Sequence, residues 1–473
     1  MSFAVAIIAA ILLFAAPDGP ILRSADAAEQ VDRTAKLNVV LILADDLGYG
    51  DLGCYGHAKF KTPHIDSLAA AGARLTQFNT PMPYCGPTRA SLLTGRYPFR
   101  HGLTSNPAPD GNPTDDQRGL ELSEVTLADV FKSAGYATAC IGKWHLGHHP
   151  KYLPTRRGFD HYFGIPYSND MRPVKLFDDE EVVENPVAQA TITERYADRA
   201  VEFIAQHKSD PFFLFLPHTM PHKPLVASAK RYQQTGGGLY ADAMADLDDA
   251  VGRVLDKLRE LKLDDRTLIL LTSDNGPWFG GSTGGLRGMK GSVFEGGYRV
   301  PLIACWPGKI KPGHVSPALS GIIDLFPTIL AAAGIPLPPG HTIDGRDLLP
   351  VLTSDAKSPH AEMIGMTNTK IACCRDDRWK LCLIKPGDFF GNMAKPGEKW
   401  IDPRGPDGKT ILAPLEQYQP TDHPGLKTGD APAELMLFDL QNDPGEQHNV
   451  AEKNPEIVAR LKQAAARITA NTP

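Results

Sequence analysis

Uninterrupted runs of Val, Ile, Leu and Phe recur along this chain, and each one stops at a polar cluster. Residues 38–46 (NVVLILADD) end in Asp45 and Asp46, and 137–141 run into Gly142-Lys143-Trp144-His145. Residues 212–216 (FFLFL) lead to a segment holding His218 and His222, and 267–273 (TLILLTS) lead to Asp274-Asn275. Strands apolar at every residue, rather than at alternate ones, belong in a parallel sheet covered on both faces. Between them lie stretches of helical period at 64–78, 125–135, 192–208, 239–263 and 320–334, with one more strand at 300–306. The alternation predicts an α/β fold: a large, mainly parallel (mixed) sheet flanked by helices. Ligands of such sheets bind beyond the carboxyl ends of the strands, so four polar clusters are expected to converge on one edge. Residues 158–173 read as loop, and a Gly-rich loop at 280–291 carries Arg287 and Lys290.

The pattern changes near residue 360. Short strands at 371–374, 379–384 and 436–439, a Pro/Gly-rich insertion at 386–432 and a helix at 456–469 predict a smaller C-terminal α+β subdomain with an antiparallel sheet. The expected division is therefore 28–360 for the catalytic domain and 361–473 for the subdomain, since 473 residues exceed one typical core. Residues 3–16 are apolar and Ala25-Asp26-Ala27 follows them, so residues 1–27 read as a secretory signal peptide. Export to a periplasm or the medium is the expectation, with an uncleaved N-terminal membrane anchor as the alternative. A net charge of −6 gives no reason to expect nucleic acid as a partner.

Seven cysteines in an exported chain leave one unpaired or chemically special. Cys140 and Cys305 lie in apolar runs and read as packed thiols, while Cys373, Cys374 and Cys382 bracket a hairpin where one disulfide would fit. Cys85 stands apart. In Cys85-Gly86-Pro87-Thr88-Arg89 the proline suits a first helical turn, which puts Cys85 at a helix N-terminus and Arg89 one turn later on the same face.

The strand ends specify chemistry. Asp45, Asp46, Asp274 and Asn275 offer an all-oxygen ligand set, which suits a hard divalent cation such as Ca²⁺ or Mg²⁺. Arg89, Lys143, His145, His222 and Lys290 supply donors for a tetrahedral anion, and His218 competes with His222 for that role.

These pieces together resemble the formylglycine-dependent sulfatases, the arylsulfatase A-like group of the alkaline phosphatase superfamily. The resemblance rests on LILADDLGYGDLGCYG (41–56), CGPTRASLLTGR (85–96), GKWHLG (142–147), GIPYSND (164–170), PHKP (221–224), SDNG (273–276) and GMKGSVFEGGYRVP (288–301), in that order. A tail, LMLFDLQNDPGEQHNV (435–450), is similar to the family's C-terminal part. The resemblance implies that a maturation enzyme oxidises Cys85 to formylglycine (3-oxoalanine). Its hydrate would attack sulfur, expel the alcohol and collapse to the aldehyde to release sulfate. It implies that Asp45, Asp46, Asp274, Asn275 and the modified Cys85 hold Ca²⁺ (Mg²⁺ as the alternative), with Asp274 as proton acceptor. Arg89 and Lys143 would hold the formylglycine, and His145 would assist the collapse. Ser168, Lys143, His222 and Lys290 would bind the sulfate of a small molecule or glycan, the last two protonating the leaving oxygen. Thr88 occupies a position where the family pattern has Ser. Phosphonate or phosphate ester hydrolysis on the same residues is the alternative activity, and an inactive sulfated-glycan-binding homologue the alternative class.

Overall fold

The computed structural model describes residues 36–109, 117–171, 173–278, 280–387 and 428–470. The expected signal peptide, 1–27, and most of the 386–432 insertion lie outside them.

The strands are, in chain order, β1 (Asn38–Ala44), β2 (Ala73–Leu75), β3 (Phe78–Asn79), β4 (Ala137–Ile141), β5 (His161–Gly164), β6 (Leu176–Asp178), β7 (Glu181–Glu184), β8 (Phe212–Pro217), β9 (Thr267–Ser273), β10 (Leu302–Cys305), β11 (His314–Ser316), β12 (Ser320–Gly321), β13 (Met363–Thr367), β14 (Lys370–Arg375), β15 (Trp379–Cys382) and β16 (Met436–Asp439). Ten of them form one sheet in the order β11-β2-β10-β9-β1-β8-β4-β5-β6-β7. β1 is paired in parallel with both β8 and β9, and β4 in parallel with β8 and β5. Antiparallel pairs occur on either side of this centre, at β9–β10–β2 and at β5–β6–β7.

The wholly apolar sequence of β1 has a direct structural counterpart. Val40, Ile42 and Ala44 join the core beneath the helices Pro63–Ala71, Ile192–Gln206 and Gly238–Glu260. Val39, Leu41 and Leu43 join the core on the opposite face, under Cys85–Thr94, Leu127–Ser133 and Leu325–Ala332. Side chains that alternate between two buried layers require every residue of the strand to be apolar. Thr126 begins the Leu127–Ser133 helix with a capping box, exchanging hydrogen bonds with Asp129.

Three stretches differ from the sequence expectation. The helix expected over 64–78 ends at Ala71, and β2 and β3 follow. Gly72 lies flat against β10, where a Cβ would sit 2.1 Å from the Ala304 carbonyl oxygen, and strand pairing overrides the helical period. The stretch 320–334 opens with β12 paired to β3, so its helix is confined to Leu325–Ala332. Within 158–173, expected as loop, β5 extends the large sheet.

A separate antiparallel sheet, β13-β14-β15-β16, stands near the C-terminus. Helix Pro455–Ala470 covers one face through Leu461, Ala464 and Ala465. The other face packs on Val293, Phe294 and Tyr298, just after Lys290. Cys373 and Cys382 are directly opposite on β14 and β15, yet all seven cysteines are free thiols. Cys374 faces the helix and the other two face Phe294, so the three serve as small apolar packing groups rather than a disulfide.

A buried ionic network joins this sheet to the Lys290 segment. Glu295 meets Arg299 at 2.6 Å, Arg375 at 2.7 Å and Lys380 at 3.1 Å, and Lys380 meets Glu446 at 3.0 Å. Burial opposes charge on Glu295, but the three cations win and hold its carboxyl well below the usual range.

Candidate active site

The four polar clusters emerge from β9, β1, β8 and β4, which are consecutive in the sheet. Asp45 and Asp46 follow β1, Asp274 and Asn275 follow β9, Lys143 and His145 follow β4, and His222 follows β8. Two of these residues, Asp46 (φ 65) and His145 (φ 61), adopt left-handed backbone. Such strain in non-glycine residues concentrates where a side chain must be aimed. Helix Cys85–Thr94 delivers Cys85 and Arg89 to the same edge, with Tyr84 extended as its N-cap.

The expected site residues are all buried, Lys290 being the most exposed at 8 %. Cys85 Sγ lies 3.5 Å from Asp45 Oδ1 and 3.3 Å from Lys290 Nζ. Lys290 also donates to Asp46 Oδ1 at 2.6 Å, which accepts from Asn275 Nδ2 at 2.7 Å. Lys143 Nζ donates to Asp45 Oδ2 at 2.5 Å and to Ser168 Oγ at 3.1 Å. Arg89 donates through Nε to Asp274 Oδ2 at 2.9 Å and through Nη1 to the Lys143 carbonyl at 2.6 Å. His222 Nδ1 faces two acceptors, Asn169 Oδ1 and the Lys223 carbonyl, and therefore carries the proton. Its Nε2 is thereby turned towards Ser168 Oγ at 3.5 Å and Asp46 Oδ2 at 3.7 Å. His145 Nε2 donates to the Pro107 carbonyl at 3.1 Å, leaving its buried Nδ1 without a hydrogen bond.

Burial and neighbouring charge set the protonation states. Burial and the nearby Asp274 raise Asp45 to about 7, against the pull of Lys143 and Arg89. Asp274 goes the other way: Arg89, Lys143 and Lys290 outweigh burial and hold its carboxyl below the ordinary range. Burial pushes the Cys85 thiol well above the ordinary thiol range, so the unmodified side chain is a poor nucleophile at neutral pH. Burial, with Lys143, Arg89 and Lys290, keeps His145 neutral. Lys290 stays charged because its carboxylate neighbours overcome burial.

The oxygen donors of this group fit a hard cation. Asp45, Asp46, Cys85 and His222 each present a ligand atom within 4.8 Å of the others. Asp46 Oδ2 and Asn275 Oδ1 are buried acceptors with no hydrogen-bond donor, an arrangement that is costly unless a cation satisfies them. Three carboxylates (Asp45, Asp46, Asp274) meet three cations (Arg89, Lys143, Lys290), so a dication would leave two positive charges to receive an anionic ester.

Comparison with known proteins decides the family. The sulfatase family model matches residues 37–335. The chain belongs to the sulfatase family. This sulfatase is 36% identical to human arylsulfatase A over 462 residues, covering 90% of this chain and 86% of that one. It is 40% identical to human N-acetylgalactosamine-6-sulfatase over 341 residues, 67% of this chain and 65% of the relative. A chain solved in connection with the metabolism of multiple glycosaminoglycans by Bacteroides thetaiotaomicron superposes with a TM-score of 0.77 at 27% identity, covering 93% of this chain and all of that one. The protein is an arylsulfatase-like sulfate ester hydrolase, and its family implies formylglycine and a metal ion.

The sulfatase also uses residues that its sequence pattern does not single out. Asn106 Oδ1 accepts the Gly86 N–H at 2.8 Å and so caps the helix beside Cys85. Asn169, inside the GIPYSND motif, orients His222. Asp51 accepts from Gly48, Ser282 and Tyr240, joining the Asp45–Asp46 turn to the loop that leads to Lys290. His218, the competitor of His222, is buried with neither ring nitrogen hydrogen-bonded, its ring 6.2 Å from that of Tyr196. Thr88 donates to the Met82 carbonyl at 2.9 Å, a bond that a serine hydroxyl would make equally well.

Proposed function

We propose that this sulfatase cleaves a carbohydrate or aryl sulfate monoester at Cys85 after its maturation to formylglycine, with Ca²⁺ (or Mg²⁺) held by Asp45, Asp46, Asp274 and Asn275. With both in place, the hydrated formylglycine provides the nucleophilic hydroxyl and the cation lowers that hydroxyl's pKa. The observation that carries this reading is the pair of unsatisfied buried oxygens, on Asp46 and Asn275, beside Cys85 Sγ and the Lys290 ammonium. Similarity to N-acetylgalactosamine-6-sulfatase and to a protein of glycosaminoglycan metabolism favours a sugar over a simple aryl alcohol.

The chain's own residues have separate tasks. Lys143 and Lys290, each hydrogen-bonded to a carboxylate, meet the sulfate oxygens, with Ser168 donating alongside. His222, oriented from behind by Asn169, directs Nε2 at the leaving oxygen and, in its doubly protonated form, delivers the Nε2 proton. His145, neutral and with its Nδ1 not hydrogen-bonded, assists release of the Cys85-derived group. Arg89 neutralises Asp274 and fixes the Lys143 backbone. Export is part of the proposal, on the strength of residues 3–16 and Ala25–Ala27, and cell fractionation tests it.

Mass spectrometry of the Cys85 peptide from active enzyme, coupled to paired aryl sulfate and aryl phosphonate assays with and without chelator, tests the chemistry. An aldehyde at Cys85 and faster, chelator-sensitive sulfate turnover are expected. Active protein carrying only thiol would overturn the formylglycine reading, and faster phosphonate turnover would overturn the sulfate one.

A further inference from the structure

A cavity of about 460 Å³, within the size range of small-molecule sites, is lined by segments that lead directly from residues of the reacting centre. Its lining includes Pro109, His148, Tyr167, Lys175, Phe177 and Glu180. Two segments carry both a site residue and a wall of this cavity, and a third both holds a site residue and lines the cavity. Tyr167 immediately precedes Ser168, His148 is three residues past His145, and Pro109 is two past Pro107, whose carbonyl holds His145. A group attached to an ester seated at Ser168 and His145 therefore has this cavity next to it.

Among the described residues, the charges lining the cavity do not cancel. Glu180 is held by Arg156 at 2.8 and 3.0 Å and by Thr155 at 3.0 Å, so its carboxylate is already compensated. Lys175 is half-buried, and among the described residues it has neither a carboxylate nor a hydrogen-bond partner. A half-buried ammonium without a counter-charge pays part of its desolvation and gains nothing until an anion arrives. The rings around it suit a sugar. Tyr167 is fixed by its hydroxyl bond to the Pro173 carbonyl and meets the His148 ring edge-on at 5.8 Å, while Phe177 adds a second apolar face.

We propose that the cavity formed by Tyr167, His148, Phe177 and Lys175 is a subsite for a sugar bearing a second anionic group, which Lys175 binds while the first sulfate is cleaved. This rests on the sulfatase reading of the adjoining centre. The second anion is either another sulfate on the same sugar or the carboxylate of a linked uronic acid, since both present the same charged oxygens to an ammonium.

Steady-state kinetics on four esters tests this: 4-nitrocatechol sulfate, a monosulfated hexose, the same hexose disulfated, and the monosulfated hexose linked to a uronic acid. The wild type is expected to prefer one of the two doubly anionic sugars over the monosulfated hexose in kcat/KM, and which one it prefers identifies the source of the second anion. Lys175→Met is expected to reduce that preference about tenfold, through KM, and Lys175→Arg to restore most of it. Aryl sulfate turnover with equal use of the three sugars, or a preference that survives Lys175→Met, would overturn the subsite alone. No turnover of any ester, aryl sulfate included, would overturn the reading of the reacting centre and the subsite with it.

Discussion

Arg89 and Asp274 are locked together out of contact with water: Nη2 lies 2.8 Å from Oδ2, and both side chains are fully buried. The same guanidinium comes within 3.6 Å of Asp45, so a helix residue ties together the ends of two neighbouring strands. Removing one member of a buried pair strands the other charge, at a cost of about 3–5 kcal/mol. Arg89→Met is expected to lower the unfolding free energy extracted from urea titration by an amount in that range, and Arg89→Lys by less. Unchanged unfolding curves for both variants would show that the pair does not hold the strand ends.

Metal binding should be visible as stability. A ligand that binds only the folded state adds about 2.7 kcal/mol at one hundred times its dissociation constant. Titrating Ca²⁺ or Mg²⁺ into chelator-treated protein should raise the melting temperature with the logarithm of concentration, and Asn275→Ala should weaken the response. A melting temperature indifferent to both ions would contradict the assigned ligand set.

Acid should destabilise the protein well before its surface carboxylates titrate. Burial depresses His101 from 6.5 to about 3 and His218 from 6.5 to about 4. Below pH 6.5 the unfolded chain takes up protons that the folded one refuses, so stability falls as pH drops towards these values. Each histidine contributes a slope of up to about 1.4 kcal/mol per pH unit in that window. His101 Nδ1 accepts the Leu103 N–H and Nε2 donates to Ser91. A glutamine there keeps a donor without the titration, so His101→Gln should flatten the denaturation profile between pH 6.5 and 4. An unaltered slope would count against this assignment.

Gly142 leaves no room for a side chain. Its φ is 140°, and a Cβ there would lie 1.8 Å from the Pro217 carbonyl oxygen, which accepts the Lys143 N–H at 2.7 Å. Gly142→Ala should cost about 1–3 kcal/mol from overpacking and, by shifting Lys143, lower kcat more than thermal stability alone predicts. Wild-type kcat in this variant would show that the Lys143 position tolerates movement of the strand end.

The strand ends were legible because burial on two faces writes itself into consecutive residues: β1, β8 and β9 need no partner to be recognised. β2, β3 and β5 were not, since they are two to four residues long and become strands only when β10, β12 and β4 lie beside them. The same divide runs through the site. Asp45, Asp46, Asp274 and Asn275 sit where strands stop, a position that sequence order alone reports. Asn106 and the Glu295–Glu446 bond join residues far apart in the chain, the latter by 151 positions, and no local pattern records them.

β15 and β16 are hydrogen-bonded neighbours, with Cys382 opposite Met436, although 53 residues separate the two in sequence. The sheet therefore clamps both ends of the intervening stretch side by side. Lengthening a closed stretch of this size costs little, about 0.6 kcal/mol per doubling. A longer or shorter stretch between Cys382 and Met436 should thus leave the paired strands that frame it intact.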